Sequence, residues 1–230
     1  MPWFIPHAGF LERLSEEEKT RLGQICPPRS YGKDEAVFLS GDACDELTIV
    51  LDGMIKVVRQ DPSGKERILH LSGPGDILGA EFLEDEARYN ADAVCASDGV
   101  MICPINREQF VQVARELPRV ALSLAGSLAA RLTHLEDQIE SAGAPVMVRL
   151  GRVLAWTARR FGRPEADGWV RLTSELRQED LAAMSGSTRV TVTNTLGQLR
   201  RLGLVEGTRG RYRVKLNDLE TTLEEMLWES

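Results

Sequence analysis

The residues whose types and spacing could do chemistry lie in the segment QEDLAAMSGSTRVTVTNTL, residues 178–196. Arg189 carries a planar fork of N–H donors that matches guanine O6 and N7 in the DNA major groove. Asn194 can pair with an adenine edge in the same way, or touch only a phosphate. Thr191 and Thr193 offer hydroxyls to phosphate oxygens, and Val190 offers an apolar contact to a thymine methyl. Ser187 and Thr188 stand at the entry to the same helix. Gln178, at the start of the preceding helix, is a phosphate candidate. Arg209 and Arg211, a little further on, supply attraction that any sequence of DNA would feel.

Those side chains need a rigid carrier. Leu181 and Ala182 bury a first short helix, and small Ala182 permits close helix contact. Gly186 takes a tight inter-helix turn. Val192, Leu196 and Leu199 hold a second helix, residues 188–202, against a core. Thr195 then flanks the outward face. Residues 204–206 and 211–214 read as a hairpin around Gly207-Thr208-Arg209-Gly210, a wing beside the helix pair. A helix over 146–161 and a short strand over 169–172 precede the motif, and an acidic helix over 219–228 follows it.

Charge supports this placement. The chain has 230 residues and a net charge of −7, which taken whole argues against a polyanion partner. The charge is unevenly spread, however. Residues 1–144 carry 14 basic and 24 acidic side chains, and residues 145–215 carry 14 basic and 6 acidic. The last 15 residues carry 5 acidic side chains and no basic one. A basic module therefore sits between an acidic module and an acidic tail, so one part alone is suited to meet nucleic acid.

The acidic module has a different texture. Ser15 caps a short helix over 16–25. From 29 to 105, short β-rich runs alternate with breaks such as Gly41-Asp42, Asp52-Gly53, Ser63-Gly64 and Gly73-Pro74-Gly75-Asp76. Such spacing predicts an antiparallel barrel or sandwich. Asn106 then caps a helix over 107–115, and Pro118 opens a longer one that runs to about Ser141. Its apolar positions include Leu117, Leu124, Leu128, Leu132, Leu135 and Ile139, at steps of three, four or seven. A stripe about 36 Å long needs a cover, and a partner helix from a second copy is the expected one. The fold class is α+β: an N-terminal antiparallel sandwich or barrel over 1–105, a dimerisation helix within 106–144, and a C-terminal winged helix-turn-helix over 145–230.

Other chemistry is poorly supplied. Cys26, Cys44, Cys95 and Cys103 match no zinc or iron–sulfur spacing and read as four reduced, mostly buried thiols of a cytoplasmic protein. His7, His70 and His134 are too dispersed for a metal enzyme. No transmembrane run and no secretory leader is expected. An enzyme of the cupin kind would need clustered metal ligands. A ligand-binding subunit acting through protein contacts leaves the wing and the basic module unexplained.

The order of antiparallel sandwich or barrel, long helix and winged helix-turn-helix resembles the cyclic-AMP receptor protein/fumarate-nitrate regulator (Crp–Fnr) family of bacterial transcription factors. The matching residues are Gly41-Asp42, the run Ile49 to Val57, Gly73-Pro74-Gly75-Asp76-Ile77-Leu78-Gly79 and the helix-turn-helix. The resemblance makes the N-terminal module a β-roll (a double-stranded jelly roll) and implies a cyclic-nucleotide-binding-like sensor, a homodimer joined through long helices and a two-fold symmetric operator. It also implies contact with RNA polymerase if the protein activates. The run Ser187 to Thr193 is similar to the recognition helix of the nitrogen-control branch, which usually has Arg at the position of Asn194. The resemblance places effector contacts at Gly79, Glu81, Arg88 and Tyr89. Tyr89 replaces a small hydroxyl residue, and Leu135-Glu136 replaces a Thr-Ser pair, so cyclic AMP is disfavoured. Haem and an iron–sulfur cluster are disfavoured too, since no His lies near Glu81 and Cys26 is the only nearby N-terminal cysteine. An unidentified small effector, or none, remains.

Overall fold

A computed structural model describes residues 9–228 except Ser63, Lys65 and Ser174. His7 and the turn position Ser63 named above lie outside the described residues. The chain forms two compact units, one ending at Leu135 and the other opening at Glu136.

The first unit begins with α1 (Glu16–Ile25), started by a full capping box between Ser15 and Glu18. Eight strands follow: β1 (Arg29–Tyr31), β2 (Ala36–Phe38), β3 (Glu46–Asp52), β4 (Ile55–Gln60), β5 (Glu66–Ser72), β6 (Ile77–Leu78), β7 (Asp92–Cys95) and β8 (Val100–Asn106). They make two four-stranded antiparallel sheets, ordered β1-β8-β3-β6 and β2-β7-β4-β5. Val50, Ile55, Val57, Leu78, Ala93 and Ile102 from both sheets share one core, as period-two alternation requires. Gly53 turns β3 into β4 at φ +81°, where an added Cβ would strike Gly99 O and Ser97 Oγ.

Two helices complete this unit. Asn106 caps α2 (Arg107–Glu116) with a capping box to Gln109. The long α3 (Pro118–Glu140) follows. Here the expected stripe divides. Leu124 is buried in the core of its own unit, and Leu117 and Leu128 pack on that core. Ser123 donates a hydrogen bond to Phe10 O at 2.5 Å on the same side. Exposed apolar residues on another side include Leu122, Ala125, Ala129, Leu132 and Ile139. Their steps are three, four, three and seven, the spacing of a two-helix seam with exposed Glu136 standing in the gap of seven. Leu135 lies beside that seam at 39% exposure. The division has a simple cause: an amphipathic helix on a β-roll turns one apolar stripe inward, so the exposed apolar residues lie on another.

The cysteines also differ from the expectation of four thiols. Cys26 and Cys103 form a disulfide, while Cys44 and Cys95 are free and buried. The end of α1 lands beside β8, which brings together two residues 77 positions apart. Burial pushes the Cys44 and Cys95 thiols up to about 11, so both are poor nucleophiles.

The second unit contains α4 (Val146–Phe161), β9 (Gly162–Pro164), β10 (Trp169–Leu172), α5 (Gln178–Ser185), α6 (Arg189–Arg201), β11 (Val205–Thr208), β12 (Arg211–Lys215) and α7 (Leu216–Trp228). The strands form one antiparallel sheet ordered β11-β12-β10-β9. Its core includes Leu150, Leu154, Leu181, Val192, Leu196, Leu199 and Tyr212, all buried. Helix α7 seats Leu223 against Gly151 of α4, so closely that a Cβ there would lie 2.6 Å from Leu223 Cδ2. Arg159 of α4 and Glu220 of α7 form a mostly buried ion pair, with Nε to Oε1 at 2.6 Å.

The wing turns tightly. Arg209 and Gly210 both have positive φ, +53° and +88°, as a two-residue hairpin turn of the primed type demands. Gly207 has φ +95°, and a Cβ there would lie 2.0 Å from Arg211 O. Gly207→Ala is expected to cost about 1–3 kcal/mol through backbone strain. Thermal or denaturant unfolding of the variant would measure it.

Candidate nucleic-acid interface

Helix α6 is built to be displayed. Thr188 sits at its N-cap and accepts from Thr191 N at 3.2 Å. Gly186 closes α5 in the left-handed conformation, φ +61°, and Ser187 N returns to Ala182 O at 2.9 Å. That local geometry fixes the angle between the two helices. Val192, Leu196 and Leu199 face the core, so Arg189, Val190, Thr193 and Asn194 are left exposed, on one face of α6. Val190 is 70% exposed on that face.

Some proposed contacts lie elsewhere. Ser187 is buried at the inter-helix turn and does not share that face. Thr195 is also buried, donating to Thr191 O at 2.9 Å. Thr191 is half-buried, with its hydroxyl 2.8 Å from that of Thr188. Gln178 is half-buried, and its Oε1 accepts from Thr193 Oγ1 at 2.6 Å, which ties α5 to α6.

The arginines divide into bound and displayed groups. Arg211 pairs with Glu175 at 2.8 Å, and Arg213 pairs with Glu206 and Glu165 while lying over the Trp169 ring. Arg200 donates to Gly207 O at 2.8 Å, bracing the wing. Arg209 at the wing tip and Arg201 near the end of α6 are exposed. So is Arg177, the residue before α5. Arg189 itself meets Glu179 of α5, Nε to Oε1 at 3.2 Å. The sequence reading omitted Arg177, Glu175 and Glu179; their nearness to the helix-turn-helix was the available signal.

The sensor residues also separate. Gly79 has φ +73°, and a Cβ there would crowd Glu46 O and the Tyr89 ring, so its role is to turn the chain. Tyr89 is core: it stacks on Phe38 with centroids 3.7 Å apart, and its hydroxyl donates to Glu46 O. Arg88 donates to Gly41 O at 2.7 Å. Glu81 accepts from Asn90 Nδ2 at 3.0 Å.

Another polar group went unread in the sequence. Arg131 of α3 approaches His70 of β5, Nη2 to Nδ1 at 3.4 Å. His70 Nε2 and Ser127 Oγ are buried without partners among the described residues. Burial, then the Arg131 guanidinium and His134, hold the His70 imidazole well below its ordinary range. Desolvation lowers the Arg131 pKa, and the carboxylates of Glu81 and Asp76 counter it. Ser127, Arg131 and His134 follow at four and three residues, the spacing of one helix face, which a search for apolar periodicity passes over.

A two-sheet roll, a long helix and a winged helix-turn-helix with an exposed recognition face define a DNA-binding transcription regulator of the sensor-and-reader class. Residues 28–116 match the family model of the cyclic nucleotide-binding domain, and residues 148–224 match that of the Crp-like helix-turn-helix domain. The chain is 30% identical over 203 residues to the Cyclic AMP receptor protein of Thermus thermophilus, covering 88% of this chain and 90% of that one. It is 30% identical over 202 residues to the Global nitrogen regulator of Synechocystis, covering 84% and 88% respectively. The solved structure of CooA from Carboxydothermus hydrogenoformans superposes with a TM-score of 0.75, at 22% identity, over 96% of this chain and 99% of that one. The chain belongs to the Crp–Fnr family of transcription regulators, which are not enzymes. Among the described residues, no helix is long and apolar enough to cross a membrane.

Proposed function

We propose that two copies join through the exposed seam of α3 and present both α6 helices to a two-fold symmetric operator. The observation that carries this is the exposed set Arg189, Val190, Thr193 and Asn194 on a helix whose opposite face is fully buried. Arg189 reads a guanine, Val190 a thymine methyl, and Asn194 an adenine or a phosphate. Thr193 and Thr188 face the phosphates, and Gln178 acts by fixing Thr193. Arg209 and Arg177 add phosphate contacts from the wing tip and the start of α5.

The protein works in the cytoplasm, and RNA polymerase is its partner wherever it activates. A small effector seats between β5 and α3, against Arg131, Ser127 and His70, with Glu81 at the edge. The buried polar atoms there, which lack partners among the described residues, support this over the Gly79 and Tyr89 positions. Cyclic AMP is disfavoured by Tyr89, which is committed to the core, and by Glu136 on α3.

The test is DNA affinity against salt, on a duplex selected by the protein from a randomised pool. The logarithm of the association constant should fall linearly with that of the salt concentration. The slope should be about −0.9 for each phosphate neutralised. A flat response would remove the phosphate contacts and this interface with them.

A further inference from the structure

We infer that Glu179 is a specificity-determining residue, which positions the Arg189 guanidinium and makes DNA without the matching guanine a poor ligand. The inference rests on the reading of Arg189 as a base-contacting residue.

Arg189 is the first residue of α6, where the helix dipole disfavours a cation. Its side chain is 68% exposed and free to sweep a wide arc, which costs entropy whenever it is fixed on a base. Glu179 reaches it from α5, on the other side of the Gly186 turn. The contact is made at Nε, 3.2 Å from Oε1. Among the described residues the terminal Nη groups donate no hydrogen bond, so the end-on fork that fits guanine O6 and N7 is uncommitted. A carboxylate beside Nε thus restrains the guanidinium and leaves its terminal fork to the base.

The pair is solvent-exposed on both sides, with Glu179 at 58%, so its worth to folding is small. Its position gives it a different effect. Glu179 is an acid on a surface that must approach phosphates. On a matched site, Arg189 offsets that charge while bonded to the base. On other DNA, a swing of Arg189 toward a phosphate exposes the Glu179 carboxylate to the backbone. Glu175 stands in the same relation to Arg211, at 2.8 Å, so two interface arginines are held by acids from one stretch of chain. The pairings confine their reach rather than raising raw affinity.

The test uses the full chain and three variants, Glu179→Gln, Arg189→Ala and the double variant. The probes are the pool-selected duplex, the same duplex with the Arg189-contacted guanine changed, and a random duplex of equal length. For Glu179→Gln we expect tighter binding to random DNA, a steeper salt slope and about a fivefold loss of guanine preference. In the double variant the guanine preference should fall no further than in Arg189→Ala alone. A Glu179→Gln protein with unchanged guanine preference and unchanged random-DNA affinity would overturn the inference. So would equal weakening on all three duplexes, since that would mark a merely structural role. If Arg189→Ala itself keeps the guanine preference, the base-reading assignment fails instead, and the two failures are told apart.

Discussion

Leu132→Glu should leave the protein monomeric, with loss of affinity for a two-fold DNA site by about two to four orders of magnitude. Leu132 is 58% exposed in the single chain and lies mid-seam between Ala129 and Ile139. In a symmetric helix pair, its replacement would press two carboxylates together in an apolar contact. Each would have to lose hydration or pick up a proton, at a cost of several kcal/mol. Loss of the dimer turns two linked half-site contacts into independent ones, which removes an avidity gain of about 10²–10⁴. Sedimentation velocity gives the assembly state, and titration on whole and half sites gives the affinity. Leu128→Glu is the informative contrast. Leu128 packs on the core of its own unit, so that variant should lower the unfolding temperature instead. A dimer that survives Leu132→Glu would exclude the seam.

Arg189→Ala should weaken binding to the selected duplex by about 1–3 kcal/mol and change binding to random DNA little. The argument is geometric. Arg189 makes no buried contact that its removal would orphan; its recorded side-chain partner is the exposed Glu179. The fold therefore loses almost nothing, and the difference between the two duplexes falls on the base contact. Gel-shift or anisotropy titration against both duplexes measures it. Equal weakening on both would make Arg189 a phosphate contact.

Much of the helix-turn-helix was readable from the chain alone because its signals are local. The Thr188 cap, the Gly186 turn and the apolar triad Val192, Leu196 and Leu199 all act within a few residues of where they are read. The strands of 29–105 were likewise marked by their turns, although the short β9 was not anticipated. The misreadings come from contacts across the fold. Leu117, Leu124 and Leu128 share an apolar step pattern with a partner seam, and only packing tells one stripe from the other. Tyr89 resembled a ligand position, but stacking on Phe38 across a β-roll has no signature in spacing. The approach of His70 and Arg131 joins residues 61 apart, and the Cys26–Cys103 bond joins residues 77 apart. Ser187 was placed on the DNA face by its neighbourhood, yet the turn that presents α6 buries it.

The seating of α7 has a practical consequence. Its acidic residues look like a dispensable brake on a basic reader, and deleting 216–230 looks like a way to strengthen DNA binding. The packing says otherwise. Leu219 and Leu223 are fully buried, Glu220 is bound to Arg159, and Asp218 meets Lys215 at 3.2 Å. Trimming that segment would open the notch at Gly151 and take Glu220 away from Arg159. An isolated reading head should therefore keep both α4 and α7 and be cut ahead of Pro145, with fusion partners attached there.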